Sequence, residues 1–275
     1  MAFASDALFA ITAAAYLVAC VLFVLYLAGA RVANAFVWAP RLVLAGAVLH
    51  AGHIVISSLV LNVCPIKGMH FAMSVISMLA CVGYSVARTR TTSSFDVVGV
   101  FVAPVALTFL LASRFVNAHE PSSTMKGAIL PVHILVNLLG EALFLLAFAA
   151  AVTYLVQESQ LKKKKLTGVF LRLPPLDALE RAEHRFLLLG FPLLTIGILT
   201  GTLWAYKVEA GSTADVWRAV FGYATWALFA AVLLLRRAAG WRGRKAAYGT
   251  IAGFGFAVIV LLMYLARALG HGAVA

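Results

Sequence analysis

A chain of 275 residues that is 63% hydrophobic and only 12% charged cannot hide its apolar surface in a water-soluble core, so lipid is the solvent for much of it. The formal charge of +12 would suggest nucleic acid in a soluble protein, but here the cations sit between long apolar runs, where they report orientation in a membrane, and nucleic-acid binding is set aside. Cys20, Cys64 and Cys81 form neither CxxC nor CxxCH, which excludes a thiol-redox motif and covalent attachment of c-type haem to this chain.

Lipid leaves the backbone no water to bond to, so only helices or a closed barrel can span it. The apolar runs are near-continuous rather than alternating, which selects helices. Eight runs are read, at 7–29, 36–61, 69–88, 95–115, 128–157, 185–206, 215–235 and 246–268, each long enough to cross a hydrocarbon core of about 30 Å. The fold class is therefore an all-α integral membrane protein, one polytopic domain over 1–275 with about eight transmembrane helices. The N-terminus carries Asp6 and no Lys or Arg before Arg31, so the first run reads as a retained helix, not a signal peptide.

The connections alternate in charge. One set, including Arg31, Arg88, Lys162–Lys165 and the Arg236–Lys245 turn, carries sixteen basic residues against six in the other. The positive-inside rule puts the rich set in the cytoplasm, with both termini and the 203–216 loop outside, in a bacterial-type plasma membrane. The longest connection, 157–184, holds four lysines and Pro174-Pro175 before an amphipathic DALERAEHRF that runs into the sixth span. The lysine run is expected to meet anionic lipid, with a cytoplasmic protein partner as the alternative. Gly197 and Gly201 form one GxxxG and Gly249 and Gly253 another, small-residue spacings that let helices pack closely.

No P-loop, GxSxG or HExxH is present, and no catalytic residue is assigned. Glu141 is the one carboxylate deep in an apolar run, a costly placement that marks a functional candidate. His50 and His53, three apart, share a helix face. His133 opens the fifth span and His271 follows the last; His70 and His119 fall in the outer connections and His184 on the cytoplasmic side. Neutral imidazole is a frequent axial ligand of haem iron, and two histidines on one side of the membrane could hold one haem from both faces.

From about His133 onward the chain resembles the cytochrome c assembly (CcsA/HemX-like) family of haem-handling membrane proteins. The resemblance is carried by VHILVNLLGEALFLLAFAAAVTYLVQESQLKKKK (132–165), LPPLDALERAEHRFLLLGFPLLTIGILTGTLWA (173–205), GWRGRKAAYGTIAGFGF (240–256) and the GHG around His271. It implies that His133 and His271 are outer axial ligands to the iron of a non-covalent, b-type haem, flanking a tryptophan-rich loop. It implies that His50 or His53 holds haem within the membrane. Trp204, Trp217 and Trp226 would line the outer pocket. The family's WGxxWxWDPKExW is degenerate here: Asp215-Val216 stands for its WD, Arg218 for its lysine, and Leu234 near where a second intramembrane histidine is expected.

The implied function is haem handling at the outer face in cytochrome c biogenesis, at most the haem-handling part of a lyase complex. The implied partners are membrane lipid, an outer-domain membrane protein and apocytochrome c. Two alternatives stand beside it. One is a HemX-like, non-catalytic regulator of tetrapyrrole synthesis with a cytoplasmic partner in haem biosynthesis. The other is a structural subunit of a membrane complex.

Overall fold

The computed structural model describes residues 2–27, 35–61, 69–90, 98–115, 129–164, 174–207 and 213–270. Among these, eight helices follow one another: α1 (Ala2–Leu27), α2 (Ala35–Leu61), α3 (Met69–Arg90), α4 (Gly99–Phe115), α5 (Ile129–Lys162), α6 (Leu176–Lys207), α7 (Thr213–Ala238) and α8 (Arg244–Gly270). No strand occurs among the described residues. Seven of the helices are long and apolar enough to cross a membrane. The eighth, α4, has 17 residues, at the short end of the spanning range.

The helices group into two four-membered rings. In the first, α1 packs on α2, α2 on α3, α3 on α4, and α4 returns to α1. In the second, α5 packs on α6, α6 on α7, α7 on α8, and α8 returns to α5. The rings join mainly along α3 and α5. Large apolar residues such as Val48, Leu59, Leu189, Leu199 and Leu234 are exposed on the outer faces. A continuous exposed apolar shell is what a hydrocarbon solvent selects and water rejects.

Three helix ends lie five or more residues beyond the apolar runs, and one of them is the start of α1 at Ala2. Helix α5 continues through Gln157 to Lys162, and α6 begins at Leu176 and passes without a break through DALERAEHR into the apolar stretch. The physical reason is local. Pro174-Pro175 stops the chain before α6, Asp177 sits in its first turn where the helix dipole favours an acid, and no breaker separates His184 from Phe186. Helix α7 ends at Ala238, and the chain turns two residues later at Gly240, whose φ of 63° is the left-handed conformation glycine adopts most cheaply.

Cross-helix polar contacts fix the up-and-down order. At one end, Arg114 on α4 meets Asp6 on α1 at 3.2 Å, and the hydroxyls of Thr202 on α6 and Tyr223 on α7 are 2.6 Å apart. At the other, basic end, Arg236 on α7 donates to the Glu180 carbonyl and carboxylate at 3.2 and 3.0 Å and lies 3.6 Å from Glu183. Glu183, 1% exposed, also accepts a 2.6 Å bond from Thr250 on α8. Three helices are thereby tied at one buried charge cluster. Removing its cation leaves two carboxylates uncompensated, whereas removing both signs together does not. Arg236→Ala is expected to cost about 3–5 kcal/mol of stability. Arg236→Met combined with Glu180→Gln and Glu183→Gln should lose clearly less, as read by unfolding of the detergent-solubilised protein.

Candidate functional site

His133 lies one turn into α5 and is half-buried against α6. The α6 GxxxG receives it. A Cβ on Gly201 would come within 2.6 Å of the His133 ring, and one on Gly197 would collide with the Asn137 side chain. The small-residue spacing thus makes room for two polar side chains rather than for a bare backbone contact. Further down, Gly140 on α5 completes the close approach, its Cβ direction meeting Leu193, Leu194 and the Gly190 carbonyl at 3.7–3.8 Å.

The ring of His133 is oriented by bonds to α6. Its Nδ1 is 2.8 Å from the Gly197 carbonyl oxygen and 3.3 Å from Thr200 Oγ1. A carbonyl can only accept, so Nδ1 carries the proton and Nε2 holds the lone pair. Asn137 donates to the His133 carbonyl at 2.7 Å, and its amide nitrogen is 3.4 Å from Nε2. An imidazole with Nδ1–H tied to a backbone carbonyl and Nε2 left basic is the arrangement metal-ligating histidines commonly use.

The second-span pair separates into two different environments. His50 is fully buried, with Nε2 2.7 Å from Ser74 Oγ on α3 and Nδ1 3.3 Å from the Tyr16 hydroxyl on α1. Both of its nitrogens are occupied. His53 is half-buried near the start of α1, and its Nδ1 donates to the Ser5 carbonyl at 3.0 Å. The hydroxyls of Ser5 and Ser57 lie 3.4 and 3.3 Å from the same nitrogen, while Nε2 has no partner among the described residues. His53 therefore shares part of the His133 arrangement: a neighbouring helix carbonyl takes the Nδ1 proton in both, but Nε2 of His133 has the Asn137 amide at 3.4 Å whereas Nε2 of His53 has no partner among the described residues. The two imidazoles of α2 sit in the first ring and His133 in the second, so these candidates form separate polar points, not one cluster. No group of three metal-binding side chains occurs among the described residues.

The tryptophans diverge. Trp226 is half-buried, stacks on Phe191 at 5.7 Å between centroids and donates its indole N–H to Thr195 Oγ1 at 3.0 Å, so it packs against α6. Trp217 is 52% exposed beside Phe221. Nine residues at 100° per residue put the two rings half a turn out of phase on α7, which the sequence arithmetic would have shown. Arg218 is buried and paired with Asp215 one turn earlier. Leu234 is 65% exposed, so that position faces out of the bundle. Trp204 stands on α6, but its side chain, like that of His70 on α3, is outside the described residues, as are His119 and His271 entirely. His184 is half-buried near the start of α6, and its Nδ1 has no partner among the described residues.

Glu141 marks the seam between the rings. It borders a cavity of about 10 Å³ with Ile76, Phe109, Leu145, Phe254, Ala257, Val258 and Leu261, room for about one water. Its carboxyl makes no hydrogen bond or ion pair among the described residues.

Together these features define a polytopic helical membrane protein with isolated, backbone-anchored imidazoles inside two helix rings. Residues 63–273 match the family described as Cytochrome C assembly protein. The chain belongs to that family. It is similar to the cytochrome c biogenesis protein CcsA of Guillardia theta, 29% identical over 212 residues that cover 69% of each chain. The CcsA of Microcystis aeruginosa is 33% identical over 172 residues, 61% of this chain and 50% of the relative. That of Crocosphaera subtropica is 37% identical over 123 residues, 44% of this chain and 35% of the relative. The chain thus spans only about a third of the Crocosphaera relative's length.

The packing around His133 predicts opposite outcomes for two glycines. Gly222 on α7 has nothing within 4 Å of its Cβ direction, so Gly222→Ala should stabilise the protein by up to about 1 kcal/mol through helix propensity. Gly201→Ala should cost about 1–3 kcal/mol by overpacking and push the imidazole off α6. Thermal unfolding in detergent compares the two.

Proposed function

We propose that this protein holds haem non-covalently at the end of the bundle opposite its basic loops, and does so in the maturation of c-type cytochromes. The observation that carries the reading is the anchoring of His133: Nδ1–H on the Gly197 carbonyl at 2.8 Å, with Nε2 holding the lone pair an iron ligand needs. His133 and His271 would hold the haem iron. His53, whose Nε2 has no partner among the described residues, fits a ligand within the membrane better than His50, whose two nitrogens are taken. Trp204 and Trp217 would cover the macrocycle, with Trp226 supporting α7 from behind. When bound, haem supplies the iron and its redox chemistry; the chain supplies ligands, orientation and exclusion of water.

By the charge rule the basic loops lie in the cytoplasm of a bacterial-type plasma membrane, which puts His133 and His271 at the outer face. Attachment of haem to an apocytochrome would then need a membrane partner with an outer domain, and the chain's role would be presentation rather than bond-making. A HemX-like regulator of tetrapyrrole synthesis is the second reading. It is favoured by the degenerate loop, in which Asp215-Val216 replaces the WD and the two α7 tryptophans face opposite ways. Neutralising Lys162–Lys165 distinguishes them: loss of control over a biosynthetic partner with cytochrome c maturation intact favours regulation.

Reduced and oxidised absorption spectra of the detergent-purified protein test the haem reading. Wild type should show a Soret band and a sharp low-spin α-band that collapse when His133→Ala and His271→Ala are combined. Wild type that takes up no haem even on reconstitution would refute it. His53→Ala should reduce haem retention. His50→Ala should leave the spectrum intact but cost about 1–3 kcal/mol of stability, because buried Ser74 and Tyr16 lose their partner.

A further inference from the structure

At the basic end of the second ring, the C-terminus of α5, the α7–α8 turn and the first turns of α8 border an open cleft of about 550 Å³. Its charged lining is Lys162, Arg242, Arg244 and Lys245 against a single carboxylate, Glu158. That carboxylate is shared, bonded to Lys162 at 2.7 Å and 3.8 Å from Arg244. Arg242 and Lys245 have no ion pair among the described residues. The cleft is therefore a net positive concavity with two uncommitted cations, which suits an anion.

The turn is built rigidly. Gly243 has φ 58°, and a Cβ there would strike the Tyr154 hydroxyl at 2.5 Å, so both its conformation and its space require glycine. The Arg244 guanidinium lies 5.6 Å over the Tyr248 ring and donates to its hydroxyl at 3.1 Å. Trp241 and Tyr248 flank the cations, the amphipathic aromatics that sit at headgroup depth in membrane proteins.

The surface continuing from the cleft identifies the rest of the ligand. Tyr248, Ala252, Gly255, Ile259 and Leu262 recur every three or four residues on α8, and all are exposed. The stripe is apolar past Tyr248. Gly255 has nothing within 4 Å of its Cβ direction, so the stripe has a shallow centre. A soluble anion would use the cations but not this stripe. A phospholipid uses both, its phosphate in the cleft and an acyl chain along α8.

We propose that the α5–α7–α8 cleft is a binding site for an anionic phospholipid. The site does not depend on haem. It is tested on the delipidated, detergent-purified chain by native mass spectrometry with phosphatidylglycerol and with phosphatidylcholine of the same acyl chains. The expected result is preferential retention of phosphatidylglycerol. Arg242→Gln with Lys245→Gln should weaken it roughly 25-fold, about fivefold for each cation removed. Arg237→Gln, an exposed charge on α7 outside the cleft, should leave it unchanged. Gly255→Leu should weaken it by filling the stripe. Equal binding of the two lipids would overturn the proposal, as would an equal effect of Arg237→Gln and the double variant. Displacement of phosphatidylglycerol by millimolar inorganic phosphate would also overturn it, assigning the cleft to a soluble anion.

Discussion

A hydrocarbon solvent leaves a polar side chain two stable fates: a partner on another helix, or a place where a ligand or water will meet it. Nearly every buried polar group in this bundle has taken the first. Glu183, Thr250 and Arg236 tie three helices at the basic end, and His50 with Ser74 and Tyr16 ties three in the first ring. What is left over is informative because it is scarce. Among the described residues it comprises Thr12 Oγ1, Gln157 Oε1, His184 Nδ1 and Arg236 Nη1, together with the His53 Nε2 and the Glu141 carboxyl.

The contact between α5 and α6 shows how sequence produces such a leftover. Glycines at 197 and 201 open a slot, the slot admits the His133 and Asn137 side chains, and the Gly197 carbonyl inside it takes the Nδ1 proton. The same two glycines therefore set the position of the ring, its tautomer and the direction of its lone pair. The first ring reaches the same end by another route: the Ser5 carbonyl, close to the start of α1, takes the His53 proton. Each histidine is thus set by a carbonyl from a helix that is its partner in an antiparallel pair.

Much of the fold was legible in the sequence because lipid makes the signal one-dimensional: a span needs about 20 apolar residues, whatever its neighbours are. All eight runs coincide with helices, and the ends at Ala2, Lys162 and Leu176 differ because apolarity stops at the hydrocarbon edge while helix propensity does not. The pairing of helices into two rings was not legible, since it depends on side chains far apart in the chain. His50 and His53 are left equivalent by the sequence for the same reason: both point the same way, and what distinguishes their surroundings is Ser5, Tyr16 and Ser74 on other helices. The opposed faces of Trp217 and Trp226 were there to be read at 100° per residue.

The central claim is that His133 acts through Nε2 as an iron ligand and not merely as a packed ring on α6. The most direct test replaces His133 by glycine, which removes the ring but leaves its slot, and then adds free imidazole to the haem-reconstituted protein. The account predicts loss of the low-spin α-band in His133→Gly and its return with imidazole. An α-band of wild-type shape and intensity in His133→Gly before any imidazole is added would contradict it.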